Sequence, residues 1–250
     1  MKKMLKSITL LAATGLMASA AYATPVSRAD VVGDTSSSIG DTVGTATVET
    51  SGCSSATVCT LDDLMNGGSM TVNGITISGA SVDFTHGAYE NISFSAIEFY
   101  GLDSVIDPYT GGFGMRRNSD YPFDLYGFDA GDMDISFQVT TIMGLELTGM
   151  GAVNQVFAGQ DFSSALSFEG DNGMALDFYN SDTDADGILA TAFDATSSFM
   201  MTSAISNFAD NGGYNFYDGY QIAFTTQIPE PAPLLLMAGG LLWLVRRKTA

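Results

Sequence analysis

Six residues at positions 182–187, DTDADG, place carboxylates at alternate positions and a glycine at the sixth. Three oxygens so spaced can converge on one hard cation, and the glycine allows a sharp turn, as in the first half of a helix–loop–helix calcium site. Asp182, Asp184 and Asp186 are therefore candidate calcium ligands. The twelfth position is Phe193, where a bidentate acid would be needed, and Asp194 falls one residue late. The flanks do not read as helices, so the loop is either an irregular calcium site or a solvated acidic turn.

Other candidates are sparser. Arg116 and Arg117 lie in GGFGMRRNSDYPFDLYGFD among Tyr109, Phe113, Tyr121, Phe123, Tyr126 and Phe128. Arginine with aromatic rings on a glycine-rich loop suits a sugar-stacking surface, with Arg116, Tyr121 and Tyr126 as ligand-binding candidates. The same pattern suits core aromatics on strands, with the arginines paired to nearby aspartates. Glu98 and Glu146 are carboxylates of the kind a glycosidase needs, but among 28 acidic residues some such pair always exists. His86, the single histidine, has no evident partners for catalysis. Neither a GxSxG elbow, an HExxH helix nor a phosphate-binding Walker loop occurs. No catalytic constellation is recognisable, and a non-enzymatic role is expected.

Charge narrows the partners. Between residues 29 and 227 the only basic residues are Arg116 and Arg117, while all acidic residues except Glu230 lie there. Nucleic acid is excluded as a partner, because phosphate binding rests on Lys and Arg. Uncharged glycans, divalent cations or simple solubility fit such a surface. Cys53 and Cys59 are the only cysteines, and in an oxidising compartment they are expected to form a disulfide. So short a loop gains little entropically, and the bond chiefly fixes local shape.

The elements that must position these residues are strands. Met133, Ile135, Phe137 and Val139 alternate with polar positions, as do Tyr220, Ile222, Phe224 and Thr226. ISFSAIEFY, SALSF and MALDFY add further strand candidates. Asn73-Gly74 between two alternating runs predicts a hairpin. TLDDLMNGG predicts one helical turn, with Thr60 as N-cap, Asp62 and Asp63 in the first turn and Gly67 at the stop. With no long amphipathic helix, the pattern is that of an all-β protein, an antiparallel β-sandwich of jelly-roll-like type. A β-solenoid would need a fixed-length repeat, and none is found.

The ends of the chain differ from this middle. Lys2, Lys3 and Lys6, an apolar stretch from Ile8 to about Met17, and Ala21-Tyr22-Ala23 form a secretory signal peptide, with the mature chain starting near Thr24. At the other end, Pro229-Glu230-Pro231 precedes an apolar run that closes on Arg246, Arg247 and Lys248. A helix over residues 232–245 rises about 21 Å, short of a bilayer core of about 30 Å. It spans only with snorkelling arginines or local thinning, and the basic cluster should stay cytoplasmic. The prolines hold the approach extended, with Glu230 at the outer boundary.

This tail resembles the PEP-CTERM sorting signal of Gram-negative bacteria; Ile228 stands where the family often has Val. The resemblance covers the last 23 residues and the signal peptide. It implies an exosortase, a membrane-embedded processing enzyme, as partner, with transient inner-membrane anchoring. It also implies export to the cell surface or extracellular matrix and association with exopolysaccharide and biofilm. The stretch CTLDDLMNGGSMTVNGITIS also resembles the opening of other PEP-CTERM proteins of unknown function, which implies a shared β-domain and no known activity. The expected organisation is signal peptide 1–23, flexible lead-in 24–52, β-rich extracellular domain 53–227 and sorting tail with a short apolar membrane helix 228–250; within the lead-in, the Ser/Thr/Gly/Asp-rich stretch 30–52 suits either a flexible segment or an irregular edge strand.

Overall fold

The computed structural model of the protein describes residues 39–42, 48–105, 108–118, 123, 125–127, 129–181 and 187–229. The residues expected to form a signal peptide, Glu230 and everything after it, Tyr121, and the aspartates at 182, 184 and 186 lie outside the described residues. Pro229, the last of them, is exposed and outside any strand. Among the described residues, no helix is long and apolar enough to cross a membrane.

Nearly all of the described chain is antiparallel β-structure, in thirteen strands. They are β1 (Gly40–Thr42), β2 (Val48–Ser51), β3 (Val58–Thr60), β4 (Ser69–Val72), β5 (Ile75–Gly87), β6 (Ile97–Val105) and β7 (Gly111–Arg117). Then follow β8 (Leu125–Gly127), β9 (Ala130–Thr141), β10 (Glu146–Gly170), β11 (Ala175–Ser181), β12 (Leu189–Thr196) and β13 (Ser198–Gln227). β1 and β2 pair with β6 and β4 at the two ends of the strand order, so these parts of residues 30–52 follow the edge-strand alternative.

Local chemistry sets the short elements. Asn73 (φ 50°) and Gly74 (φ 81°) both take positive φ, the type I′ geometry whose twist matches the strands it joins, so β4 and β5 form the expected hairpin. The helix α1 (Leu61–Met65) begins at Thr60, whose hydroxyl accepts from the Asp63 N–H while Asp63 accepts from the Thr60 N–H. That reciprocal pair satisfies two of the orphan donors at a helix start. Leu61 and Leu64 are buried beneath it. The Cys53–Cys59 disulfide, with Cα atoms 5.1 Å apart, ties the preceding loop to β3.

The long strands β10 and β13 pair along almost their whole lengths, and they change neighbours midway. Residues 163–169 of β10 have β11 on their free edge, whereas residues 147–152 have β12. Residues 198–208 of β13 pair with β9, and residues 213–224 with β8 and then β7. Register shifts between Gln155 and Phe162 mark the change. Bulges of this kind bend and twist a strand. The ring of Phe168 lies 5.1 Å from that of Tyr220, edge to face. Tyr220 is paired with Asn154, so a straight ribbon would hold the two rings roughly 45 Å apart. The ribbon is therefore folded back on itself, and one sheet makes both layers of a sandwich.

The layers close on aromatic contacts: Phe99 on Phe137 (5.9 Å), Phe199 on Phe224 (6.3 Å) and the Ser203 hydroxyl against that of Tyr220 (3.1 Å). Each fully buried phenylalanine contributes about 1.5–3 kcal/mol of transfer free energy. The alternation at Met133–Val139 is realised, with the apolar set facing this core. Tyr220–Phe224 differs, because every residue there is buried. On the outer side of that layer a second small core gathers Ile39, Tyr100, Leu102, Val153 and Ala223. The backbone N–H of Ile39 donates to Gln221 Oε1 at 3.0 Å, and Gln221 Nε2 donates to the Tyr100 hydroxyl at 3.2 Å.

Glycine makes room for this outer core. A Cβ on Gly114 would lie 2.0 Å from the Tyr100 ring, and one on Gly151 would lie 2.0 Å from the Tyr109 hydroxyl. Gly114→Ala should overpack the site at a cost of about 2–3 kcal/mol, lowering Tm by about 4–10 °C. A thermal melt that matched the parent would show that Tyr100 is not held in place.

Candidate functional site

The antiparallel pairing of β6 with β7 sets Glu98 opposite Arg116 and Tyr100 opposite Gly114. The Tyr100 ring lies over the bare Cα of Gly114, and Arg116 lies over that ring with its Cζ 4.9 Å from the centroid. Arg116 Nε donates to Glu98 Oε2 at 3.1 Å. The guanidinium is thus held by a carboxylate and by the face of an aromatic ring. Burial pushes the Tyr100 phenol up, against lowering by the Gln221 hydrogen bond and Arg116, so it stays protonated.

Arg117 is held differently. Its side chain is only 14% exposed, and its Nε is buried without a hydrogen-bond partner. The nearest carboxylate oxygen is Asp218 Oδ1, at 3.9 Å, too long for a hydrogen bond. Asp218 owes its position to Gly219 (φ 116°), where a Cβ would lie 2.0 Å from the Met115 carbonyl oxygen. Asn118 and Gln155 complete the lining of a groove of about 540 Å³. Two guanidinium groups and two carboxylates make it polar and close to neutral, unlike the acidic surface around it.

Of the candidates from the sequence, Arg116 belongs to this groove. Tyr126 pairs with Tyr214 on β13, roughly 17 Å along that strand from the Gly219 opposite Arg116. The backbone of Tyr126 is therefore not brought beside the groove, and Tyr121 is outside the described residues. Glu98 and Glu146 do not form a glycosidase pair: their rows reach β13 at Gly219 and Gln227, roughly 27 Å apart, beyond the about 5–9.5 Å such pairs need. Glu146 instead accepts from Gln227 Nε2 at 3.3 Å. His86 meets Glu90 at 3.2 Å on the exposed surface. Gln155 and Asp218 had no signal in the sequence, since only the pairing of distant strands brings them to Arg117.

Acidic residues also gather on the outer side of the other layer, where Asp83, Asp132 and Glu169 surround half-buried Asp134. Among the described residues, no group of three His, Cys, Asp or Glu is arranged to hold a metal ion.

No family model and no curated protein matches the chain. Among solved structures, the chain is similar to TmCBM61 in complex with β-1,4-galactotriose, at 11% identity and a TM-score of 0.26, over 56% of this chain and 86% of that one. A likeness that loose carries no argument about the site.

Burial first, and then repulsion from Asp83, Asp132 and Glu169, pushes the Asp134 carboxyl above its ordinary value of 3.8. The folded state therefore binds this proton more tightly than the unfolded one, and its stability falls as pH rises from 3.8 through the folded-state pKa. Asp134→Asn should raise Tm at pH 7 and leave it unchanged at pH 3. Equal melts for variant and parent at pH 7 would show that the carboxylate is not under repulsion.

Proposed function

We propose that the protein is an exported, non-enzymatic component of the cell surface or extracellular matrix, whose jelly-roll-like β-domain holds neutral polysaccharide in the Arg116–Arg117 groove. The observation that carries this reading is the groove itself, where the guanidinium groups of Arg116 and Arg117 and the carboxylates of Glu98 and Asp218 line a space of about 540 Å³. A sugar hydroxyl is both donor and acceptor, so hydroxyls in the groove can accept from the guanidinium groups and donate to the carboxylates. Glu98 already accepts from Arg116, which makes it a poor base for hydrolysis and favours holding over cleaving.

Sorting belongs to the same reading. The signal peptide and the Pro229-Glu230-Pro231 tail resemble those of exosortase substrates, and an acidic domain with a disulfide suits an exported protein. An exosortase is the proposed processing partner, and extracellular polysaccharide the proposed ligand.

Asp218→Ala should weaken retention on neutral polysaccharide about tenfold, as expected for loss of a hydrogen bond to a charged group, with Tm within about 2 °C of the parent. Undiminished retention would overturn the groove as the binding site. Mass spectrometry of the C-terminus from the native surface or medium fraction should find the chain ending near Pro229-Glu230-Pro231. A membrane-bound chain that retains Ala250 would make the protein an anchored ectodomain instead.

A further inference from the structure

The groove uses one side of the folded ribbon, and a different arrangement lies beyond its bend. There, β11, residues 162–170 of β10 and residues 198–208 of β13 are neighbours. Tyr179 is paired with Ala165, Ser181 with Ser163, and Ser163 in turn with Phe208. Tyr179 and Phe208 therefore rise from the two strands that flank β10, and β10 contributes only Ser163 and Ala165 between them. Strands about 4.8 Å apart and an offset of two residues put their Cα atoms roughly 12 Å apart.

Strand alternation puts both rings outward. Phe178 and Asn180 beside Tyr179, and Asn207 and Ala209 beside Phe208, are buried, while Tyr179 is 52% exposed and Phe208 37%. A depression of about 410 Å³ opens here, lined also by Phe162, Ser181, Asp161, Asp210 and Asn211. Two exposed rings over a floor of small residues, with oxygen acceptors at the rim, have the chemistry of a ligand that is flat, partly apolar and rich in hydroxyls.

We propose that this surface is a second polysaccharide site, in which sugar rings of one neutral chain stack on Tyr179 and Phe208 and their hydroxyls reach the carboxylates at the rim. It shares no residue with the Arg116–Arg117 groove. Charge selects the ligand: Asp161 and Asp210, on a chain of net charge −19, repel uronates and phosphates. An apolar protein surface would strip water from those carboxylates at a cost. A basic peptide would meet the carboxylates, but Ser163 and Ala165 offer it little to pack against, whereas stacked rings span the floor. With two sites on one domain, the second contact with a polymer is intramolecular, so a long chain is held far more tightly than a short one. Two polymer chains can also be bridged.

The inference extends the glycan reading but does not depend on the groove, and one experiment separates the two. The full chain is run in native gels containing hydroxyethylcellulose, galactomannan or dextran, with alginate as the anionic counterpart and polylysine as a basic competitor. The Asp218→Ala protein should still be retarded by at least one neutral polymer. Adding Tyr179→Ala or Phe208→Ala should weaken that residual retardation at least tenfold, while Tyr179→Phe preserves it. Both positions are exposed, so Tm should stay within about 2 °C. If Asp218→Ala alone abolishes retardation, the groove is the sole site and this inference falls. If Asp218→Ala changes nothing but Tyr179→Ala does, the stacking site stands and the groove reading falls. Alanine variants that migrate like their parent, binding to alginate alone, no retardation in any gel, or displacement by polylysine would each overturn it.

Discussion

The β10–β13 pair is the constraint on which the rest of the structure depends. Two strands of 25 and 30 residues, hydrogen-bonded along almost their whole lengths, cannot stay straight and also bury both halves in one core. They fold back on themselves, and every other strand takes its place from one half or the other. The bend brings backbone and side-chain polar groups inside, where each needs a partner. Asparagines meet much of that need. Asn207 Nδ2 donates to the Tyr89 hydroxyl at 2.7 Å, Asn215 Nδ2 to the Ser163 carbonyl at 3.2 Å, and Asn154 Nδ2 to the Ser164 hydroxyl at 3.2 Å. The Tyr217 hydroxyl is buried there without a partner; burial first, and then Tyr89, Tyr220 and Asp218, push it well above the ordinary phenol range. It stays neutral, and the bend also leaves Asn154 Oδ1 and Asn215 Oδ1 buried without partners.

The same bend accounts for where the two depressions lie. Where β10 gives up β12 for β11 and β13 gives up β7 and β8 for β9, no strand among the described residues continues across the gap. Gln155 and Asp218 border one opening, and Asp161, Asp210 and Asn211 the other. Both are consequences of how one ribbon makes two layers. The register shifts at Gln155–Phe162 are therefore functional geometry as much as packing geometry.

Local features were legible in the sequence because their causes are local. Asn73-Gly74 specifies a turn, Thr60 with Asp63 specifies a helix start, and Cys53 and Cys59 lie close enough to pair whatever the rest of the chain does. The period-two run at Met133–Val139 also reads true, because β9 has one face on the core. The run from Tyr220 has the same period, but Ile39 and the Tyr100 ring cover its other face, the ring through room left by Gly114 on β7. Periodicity cannot show that, since the covering residues lie over a hundred positions away. The candidate site divides in the same way. Arg116 stood out by composition alone, whereas Asp218, Gln155 and the Tyr179–Phe208 pair depend on the register of the ribbon.

Electrostatics separates the two surfaces chemically. The acidic chain places its two internal arginines side by side on β7, yet the result is not an anion site, because Glu98 and Asp218 stand against them. Partly buried guanidinium groups without such partners would raise affinity for phosphate or uronate; with them, the groove presents paired charges. Beyond the bend, Asp161 and Asp210 lie in the lining of the depression beside Tyr179 and Phe208, and the rings carry the contact area. One surface then reads the positions of hydroxyls and the other the faces of sugar rings. Salt should affect them differently: the first rests on fixed charges held close and partly shielded from solvent, while stacking on exposed rings is hydrophobic and strengthens as salt excludes apolar surface from water.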